Sequence, residues 1–160
     1  MKNVDKLLKA AILHEVKAGA FYNRAAEVTN NDESRMLFLE LAGMEDDHAG
    51  GLVKSAKKDP ALQRLDAEAM LKDAMNSTEG KISKKEEDTI SSGNLKEVLE
   101  MAIGFEKEAE ETYRKMATKA KDDNFKAFCE QLCKEEAGHK NSLTTLLNNL
   151  DMDIEDRPAM

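Results

Sequence analysis

The sequence matches itself when it is displaced by 91 residues, and the match extends over two stretches without a gap. Both tyrosines of the chain and two of its three histidines take part in it. A shared helical composition would align Leu and Ala, but it would not align the rarest polar residues, so the repeat predicts a duplicated structural unit. The aligned pairs are Leu8 with Leu99, Ala11 with Ala102, Ile12 with Ile103, Glu15 with Glu106, Tyr22 with Tyr113, Leu41 with Leu132, Glu45 with Glu136, His48 with His139, and Leu52 with Leu143.

Each repeat has the pattern of a helical hairpin, because its apolar residues recur at steps of three or four. The first hairpin is predicted over residues 3–57, with the polar turn TNND at residues 29–32. The second is predicted over residues 94–149, where Asn94 and Glu97 have the spacing of a capping box. Such short turns require the two helices of each hairpin to run antiparallel.

The composition favours helices over strands, since the chain is rich in Ala, Leu, Lys and Glu and has no Trp and two Pro. At 160 residues it is expected to form one domain over residues 1–150, an all-α antiparallel four-helix bundle. Residues 58–93 are predicted to be a long crossover with one short helix, which Asp59 caps and Pro60 opens, followed by an exposed connection. Residues 151–160 have the composition of an acidic tail.

The charge of the chain excludes several classes of partner. A formal net charge of −8 argues against nucleic acid and against an anionic membrane as partners. The N-terminal stretch is too charged for a secretory signal and no apolar run could span a bilayer, so we expect a cytoplasmic protein. Cys129 and Cys133 are four residues apart in a helical segment, and they are read as small buried hydrophobes, with a redox or metal role as the alternative.

The spacing of the repeated glutamates predicts that they lie at one height. Glu15 and Glu45 are 30 residues apart, and the polar turn of the first hairpin lies midway between them. At about 1.5 Å per residue the chain rises roughly 22 Å and descends the same distance, so Glu45 returns to the level of Glu15. Glu106 and Glu136 are related in the same way in the second hairpin. If the hairpins pack through these faces, four carboxylates and two imidazoles converge in one layer.

A buried layer of four carboxylates would be unstable without cations, because desolvation and mutual repulsion each oppose their ionisation. The charges of two divalent ions would balance those of four carboxylates, and two neutral histidines would add no charge. Oxygen and imidazole ligands suit iron, manganese or zinc. In Glu45-x-x-His48 and Glu136-x-x-His139 the spacing lets both side chains reach one metal from one helix face.

With these residues the sequence resembles the ferritin-like superfamily, and most closely its rubrerythrin-type di-iron proteins. The resemblance covers nearly everything except residues 58–93 and the tail. It implies two iron ions, bridged by Glu45 and Glu136, with Glu15 and Glu106 as terminal ligands and one histidine on each metal. Tyr22 and Tyr113 follow Glu15 and Glu106 by seven residues on the same face; hydrogen bonding to a ligand and simple core packing are both open for them. The full set of expected ligands is Glu15, Glu45, His48, Glu106, Glu136 and His139.

The sequence departs from the rubrerythrin pattern in two ways. Rubrerythrins typically have a further Glu three residues after the ligand of the third long helix, where this chain has Ala109. The chain also has no C-x-x-C pair, and therefore no rubredoxin-like iron domain. Electrons would then come from another protein, such as a rubredoxin.

The resemblance implies an oxidoreductase that reacts with hydrogen peroxide or dioxygen. Iron storage with ferroxidase activity in a protein cage is the first alternative, and a non-catalytic helical interaction protein with zinc or no metal is the second. We expect a homo-oligomer, in the first instance a dimer. The long crossover leaves open whether the hairpins pair within one chain or exchange between two.

Overall fold

The structure, a computed structural model, describes residues 3–155, with side chains for residues 3–150. All the regular secondary structure of this part of the chain is α-helical, and it contains no β-strand. Within residues 3–155 no helix combines the length and the apolar character needed to cross a membrane. The helices are α1 (Asn3–Val28), α2 (Asp32–Lys58), α3 (Ala67–Asn76), α4 (Lys84–Ser91), α5 (Leu95–Lys119) and α6 (Asp123–Glu155).

The four long helices form a bundle. The main contacts are between α1 and α2 and between α5 and α6, while α1 also contacts α5 and α2 also contacts α6. Tyr22 hydrogen-bonds to Glu106, and Tyr113 hydrogen-bonds to Glu15, so α1 and α5 run in opposite directions. The prediction of an all-α helical bundle is confirmed.

The core consists of two apolar clusters separated by a polar layer. The first apolar cluster contains Leu8, Leu52 and Phe125, and the second apolar cluster contains Phe38 and Leu99. On each long helix the residues of one cluster precede the glutamates and histidines singled out by the repeat, and those of the other follow them. Both clusters take side chains from all four long helices. The polar layer therefore crosses the bundle near the middle of its apolar interior.

Local capping explains where the long helices begin. The side chain of Asn31 accepts a hydrogen bond of 2.7 Å from the backbone N–H of Ser34 at the start of α2. Asn94 accepts from the backbone N–H of Glu97 at 3.2 Å, as the capping pattern predicts. The backbone N–H of Asn94 instead donates to the hydroxyl of Ser92, so only half of the expected capping box forms.

The start of the crossover differs from the prediction. Asp59 ends α2 rather than opening a helix, and its carboxylate accepts from the backbone N–H of Ala61 in the turn that follows. The short helix α3 begins only at Ala67, where Asp66 is the N-cap and accepts from the N–H of Ala69. An Asp before a Pro suits a turn as well as a helix start, and here the turn forms.

The end of the crossover was predicted to be an exposed connection, and this is wrong for residues 84–91. Ser83 and Glu86 form a capping box at the start of α4. Ile90 is 2% exposed and packs with the second apolar cluster. Ion pairs from Lys17 to Glu86 and from Arg24 to Glu87 join α4 to α1. Eight residues are too few for a clear helical periodicity, so this helix depends on its cap and its docking.

The last helix is longer than predicted. We expected it to end near Asn149 and to be followed by an acidic tail at residues 151–160, but its backbone remains helical through Glu155. Residues 156–160 of that predicted tail lie outside the described residues.

Candidate metal centre

The polar layer contains the six side chains that the repeat singles out. Each long helix contributes to it at mid-length, and none of the six residues is more than 6% exposed. Residues so polar are rarely buried this completely unless they are paired or bound to a metal. The six residues are Glu15 on α1, Glu45 and His48 on α2, Glu106 on α5, and Glu136 and His139 on α6.

These side chains form two overlapping groups, each with the geometry of a metal site. Glu15 and His48 belong to the first group and Glu106 and His139 to the second, while Glu45 and Glu136 belong to both. Within each group one ligand atom from every residue lies within 4.8 Å of the others. Two adjacent sites that share two carboxylates have the donor arrangement of a bridged metal pair.

Both histidines direct the same ring nitrogen toward the carboxylates. Nδ1 of His48 lies 2.8 Å from Oε1 of Glu136 and 3.5 Å from Oε2 of Glu15. Nδ1 of His139 lies 3.2 Å from Oε1 of Glu45 and 3.5 Å from Oε2 of Glu106. The two rings are nearly parallel, with centroids 5.8 Å apart. Nδ1 is therefore the nitrogen that each histidine offers to a metal.

Two buried tyrosines hold the outer glutamates across the bundle. The hydroxyl of Tyr22 donates to Oε1 of Glu106 at 2.6 Å, and that of Tyr113 donates to Oε1 of Glu15. Each tyrosine thus contacts the glutamate of the other hairpin, not the one seven residues before it. In both glutamates Oε1 is occupied by this bond, while Oε2 is buried without a hydrogen-bond partner among the described residues.

The centre contains many buried polar atoms that make no well-aligned hydrogen bond within the described part of the chain, although several of them lie close to one another. They include both carboxylate oxygens of Glu45 and Glu136 and Nδ1 of His48 and His139. Leaving such atoms unpaired costs about 1–3 kcal/mol each, more for charged groups. These atoms belong to the two carboxylates that both groups share and to the histidine nitrogens that face the carboxylates. The residues present therefore fit a di-metal site.

Without a metal, burial controls the ionisation of this layer. Burial and neighbouring carboxylates raise the pKa values of Glu45 and Glu136, and burial raises that of Glu15 to about 7. The pKa of Glu106 is lowered, because the close approach of His139, Glu136 and Tyr22 outweighs its burial. Burial opposes the charging of His139, but the neighbouring carboxylates of Glu106 and Glu45 raise its pKa to about 10. The metal-free layer therefore retains protons where a metal would place positive charge.

The sequence pattern did not indicate one residue at this centre, Glu135. Glu135 places Oε2 at 3.1 Å from Nε2 of His48, on the side of the ring away from the cluster. The repeat gave no signal for it, because the residue 91 positions earlier is Met44. Its position directly before Glu136 was the available hint.

The third histidine, both cysteines and Ala109 lie outside the two groups. His14 packs edge-on against Phe105, with ring centroids 6.3 Å apart. Cys129 is buried and Cys133 partly buried, and both are free thiols. Ala109 is 2% exposed and belongs to the first apolar cluster.

A four-helix bundle with paired Glu-x-x-His motifs and two further glutamates at mid-height defines the class of ferritin-like proteins with a carboxylate di-metal centre. The family model for rubrerythrin matches residues 6–147, most of the chain, and the protein belongs to the rubrerythrin family. No curated protein and no solved structure gives a significant match.

Proposed function

We propose that the protein is a rubrerythrin-like oxidoreductase that uses two iron ions to reduce hydrogen peroxide or dioxygen. The observation that carries this proposal is the pair of four-residue groups that share Glu45 and Glu136, with their ligand atoms buried and unpartnered within residues 3–150. The rubrerythrin match gives independent support for a di-iron centre.

The proposed ligands follow from the two groups. Glu45 and Glu136 would bridge the metals, since they alone belong to both groups. Glu15 and His48 would complete one coordination sphere, and Glu106 and His139 the other. Manganese or zinc would also suit these donors, but zinc has only one accessible oxidation state and could not support the proposed reaction. The bound iron pair would supply two electrons by passing from the ferrous to the ferric state.

The protein contributes position, charge and exclusion of water. Tyr22 and Tyr113 fix one oxygen of Glu106 and Glu15, which leaves the other oxygen of each carboxylate directed to a metal. The apolar clusters on both sides of the layer exclude bulk solvent, so the charged ligands interact strongly with a bound cation.

Burial favours a small oxidant over an organic substrate. The most exposed of the six residues, His139, is only 6% exposed. A molecule the size of peroxide or dioxygen needs only a small opening to reach such a layer, whereas a larger substrate would require the helices to separate. The proposed substrates are therefore hydrogen peroxide and dioxygen.

The position of Ala109 bears on how the metals are held. In typical rubrerythrins a Glu at this place supplies a further carboxylate, but here a methyl group packs among apolar residues such as Met116. We propose that His48 is consequently a permanent ligand, with no carboxylate competing for its metal.

The remaining parts of the proposal concern partners and assembly. A donor protein, such as a rubredoxin, would return electrons, because the chain has no C-x-x-C motif of its own. We further propose a cytoplasmic homodimer in which residues 1–150 form one domain of two duplicated hairpins. The exposed side chains of Met36 and Leu39, one turn apart on α2, support an interface on that helix.

The reaction is tested by loading the protein anaerobically with ferrous iron and mixing it with peroxide or with dioxygen in a stopped-flow spectrometer. We expect two iron ions per chain and oxidation faster than that of free ferrous ion. Glu136→Gln should abolish this acceleration, whereas Glu130→Gln, an exposed position on the same helix, should retain it. Oxidation no faster than that of free ferrous ion would exclude the proposed reaction.

Two further measurements separate the alternative functions. Elution as a large hollow assembly in size-exclusion chromatography would favour iron storage over a dimeric oxidoreductase. Purified protein without stoichiometric metal, and with equal stability in chelator, would favour a non-catalytic interaction protein.

A further inference from the structure

The outward-facing ring nitrogens of the two histidines have different surroundings. Nε2 of His48 lies 3.1 Å from Oε2 of Glu135, a partly exposed residue of α6. Nε2 of His139 is buried and has no hydrogen-bond partner among the described residues. The two halves of the centre therefore differ at this point, although their ligand residues are the same.

The register between α2 and α6 explains this difference. His48 lies opposite Glu136, and His139 lies opposite Glu45, so the two helices are antiparallel and related by an approximate two-fold axis. The residue that the 91-residue repeat aligns with Glu135 is Met44, so from this register we infer that a thioether, and not a carboxylate, holds the equivalent position on α2. A thioether is at best a weak hydrogen-bond acceptor, whereas a carboxylate is a strong one.

The contact with Glu135 favours one tautomer of His48. A carboxylate oxygen accepts hydrogen bonds, so it favours the ring with the proton on Nε2, which can then donate to Glu135. In the neutral ring this leaves the lone pair on Nδ1, the atom that faces Glu136 and Glu15. Such a carboxylate also makes the imidazole a stronger base and fixes its orientation.

We propose that Glu135 is a positioning residue that makes the two metal positions unequal, with tighter binding at the position of Glu15 and His48. This inference rests on the proposed di-metal site and deepens it. The position of Glu106 and His139 lacks an equivalent carboxylate and binds its metal more weakly. The pair is thus loaded in a fixed order, and the ion beside His139 is the first to be lost to a chelator.

The test is a titration of the metal-free protein with Co²⁺, followed by calorimetry and by the visible absorption of the bound ion. Wild-type protein should bind two ions in two resolved steps. Glu135→Ala should weaken the tighter step by about 10–100-fold, the usual effect of removing the carboxylate partner of a metal-bound histidine. Glu135→Gln keeps an acceptor without the charge and should show a smaller loss.

Two further variants control the experiment. Glu130→Gln changes the same charge at an exposed position of α6 and should leave both steps unchanged. Met44→Glu supplies the missing carboxylate opposite His139 and should tighten the weaker step, which a merely structural role of Glu135 would not produce. The thermal midpoints of the metal-free variants show that each is folded.

The outcomes distinguish this inference from the proposed function. Two ions bound by wild type with unchanged steps in Glu135→Ala would overturn the role of Glu135 and leave the di-metal site intact. Wild-type protein that binds no Co²⁺ at the buried layer would overturn the di-metal site, and the role of Glu135 with it.

Discussion

Loading the centre with metal should release protons, because the pKa values of several of its ligands are raised in the metal-free protein. Burial and neighbouring carboxylates raise the pKa values of Glu45 and Glu136 and so favour their protonated forms, and the raised pKa of His139, about 10, favours its charged form at neutral pH. Protonated groups must lose their protons to become ligands. Glu15, with a pKa of about 7, contributes a further proton only below that pH.

The expected count therefore depends on pH. Binding of two ions should release about one proton more at pH 6 than at pH 8, since Glu15 is then protonated as well. The slope of the logarithm of the overall binding constant against pH equals the number of protons released, so the binding of the pair should tighten as pH rises, and more steeply at pH 6 than at pH 8.

Calorimetry with Mn²⁺ in buffers of different ionisation enthalpy measures the count directly. Glu136→Gln should release one proton fewer, because the amide has none to give up, while the exposed Glu130→Gln should match wild type. A count near zero that does not change with pH would refute the reasoning. It would mean that the metal-free layer is already ionised or that metal binds elsewhere.

Three other properties follow from the structure. The pKa values of buried Glu15 and His139 lie above their unfolded values, so the metal-free protein should lose stability as pH rises. The loss should be roughly 3 kcal/mol for Glu15 between about pH 4.5 and 7, and it should continue toward pH 10 for His139. Urea unfolding of the metal-free protein should show this decline, and urea unfolding of the metal-loaded protein should not. Cys133 should react with a thiol reagent in the folded protein, but Cys129 only after unfolding, because burial raises its pKa to about 12; equal rates would contradict the packing. Ile90→Ala should cost about 2–5 kcal/mol in urea unfolding, and a loss under 1 kcal/mol would show that α4 is not docked.

The long helices could be predicted from the sequence because their apolar faces repeat over many turns. The first hairpin was predicted to start at residue 3 and to turn at residues 29–32, and α1 accordingly spans Asn3–Val28. The short helices of the crossover were harder, because eight to ten residues give little periodicity. Their positions depend on local caps such as Asp66 and Ser83 and on docking against α1, which only the folded chain shows.

The candidate site was predictable to the extent that duplication repeated it. Glu135 is present in only one half, so the repeat could not reveal it. Tyr22 contacts Glu106 rather than Glu15 because of the register between α1 and α5. No sequence pattern within one helix encodes that register. The sequence thus predicted which residues gather, while the directions of their individual oxygens and nitrogens required coordinates.

Because each apolar cluster draws on all four long helices, neither hairpin has a core of its own. One hairpin in isolation would expose its apolar face to water, and it could bury that face only against a second copy of itself. If the repeat arose by duplication, an ancestor of half this length would accordingly have been a symmetric dimer, and the crossover would later have joined two copies into one chain.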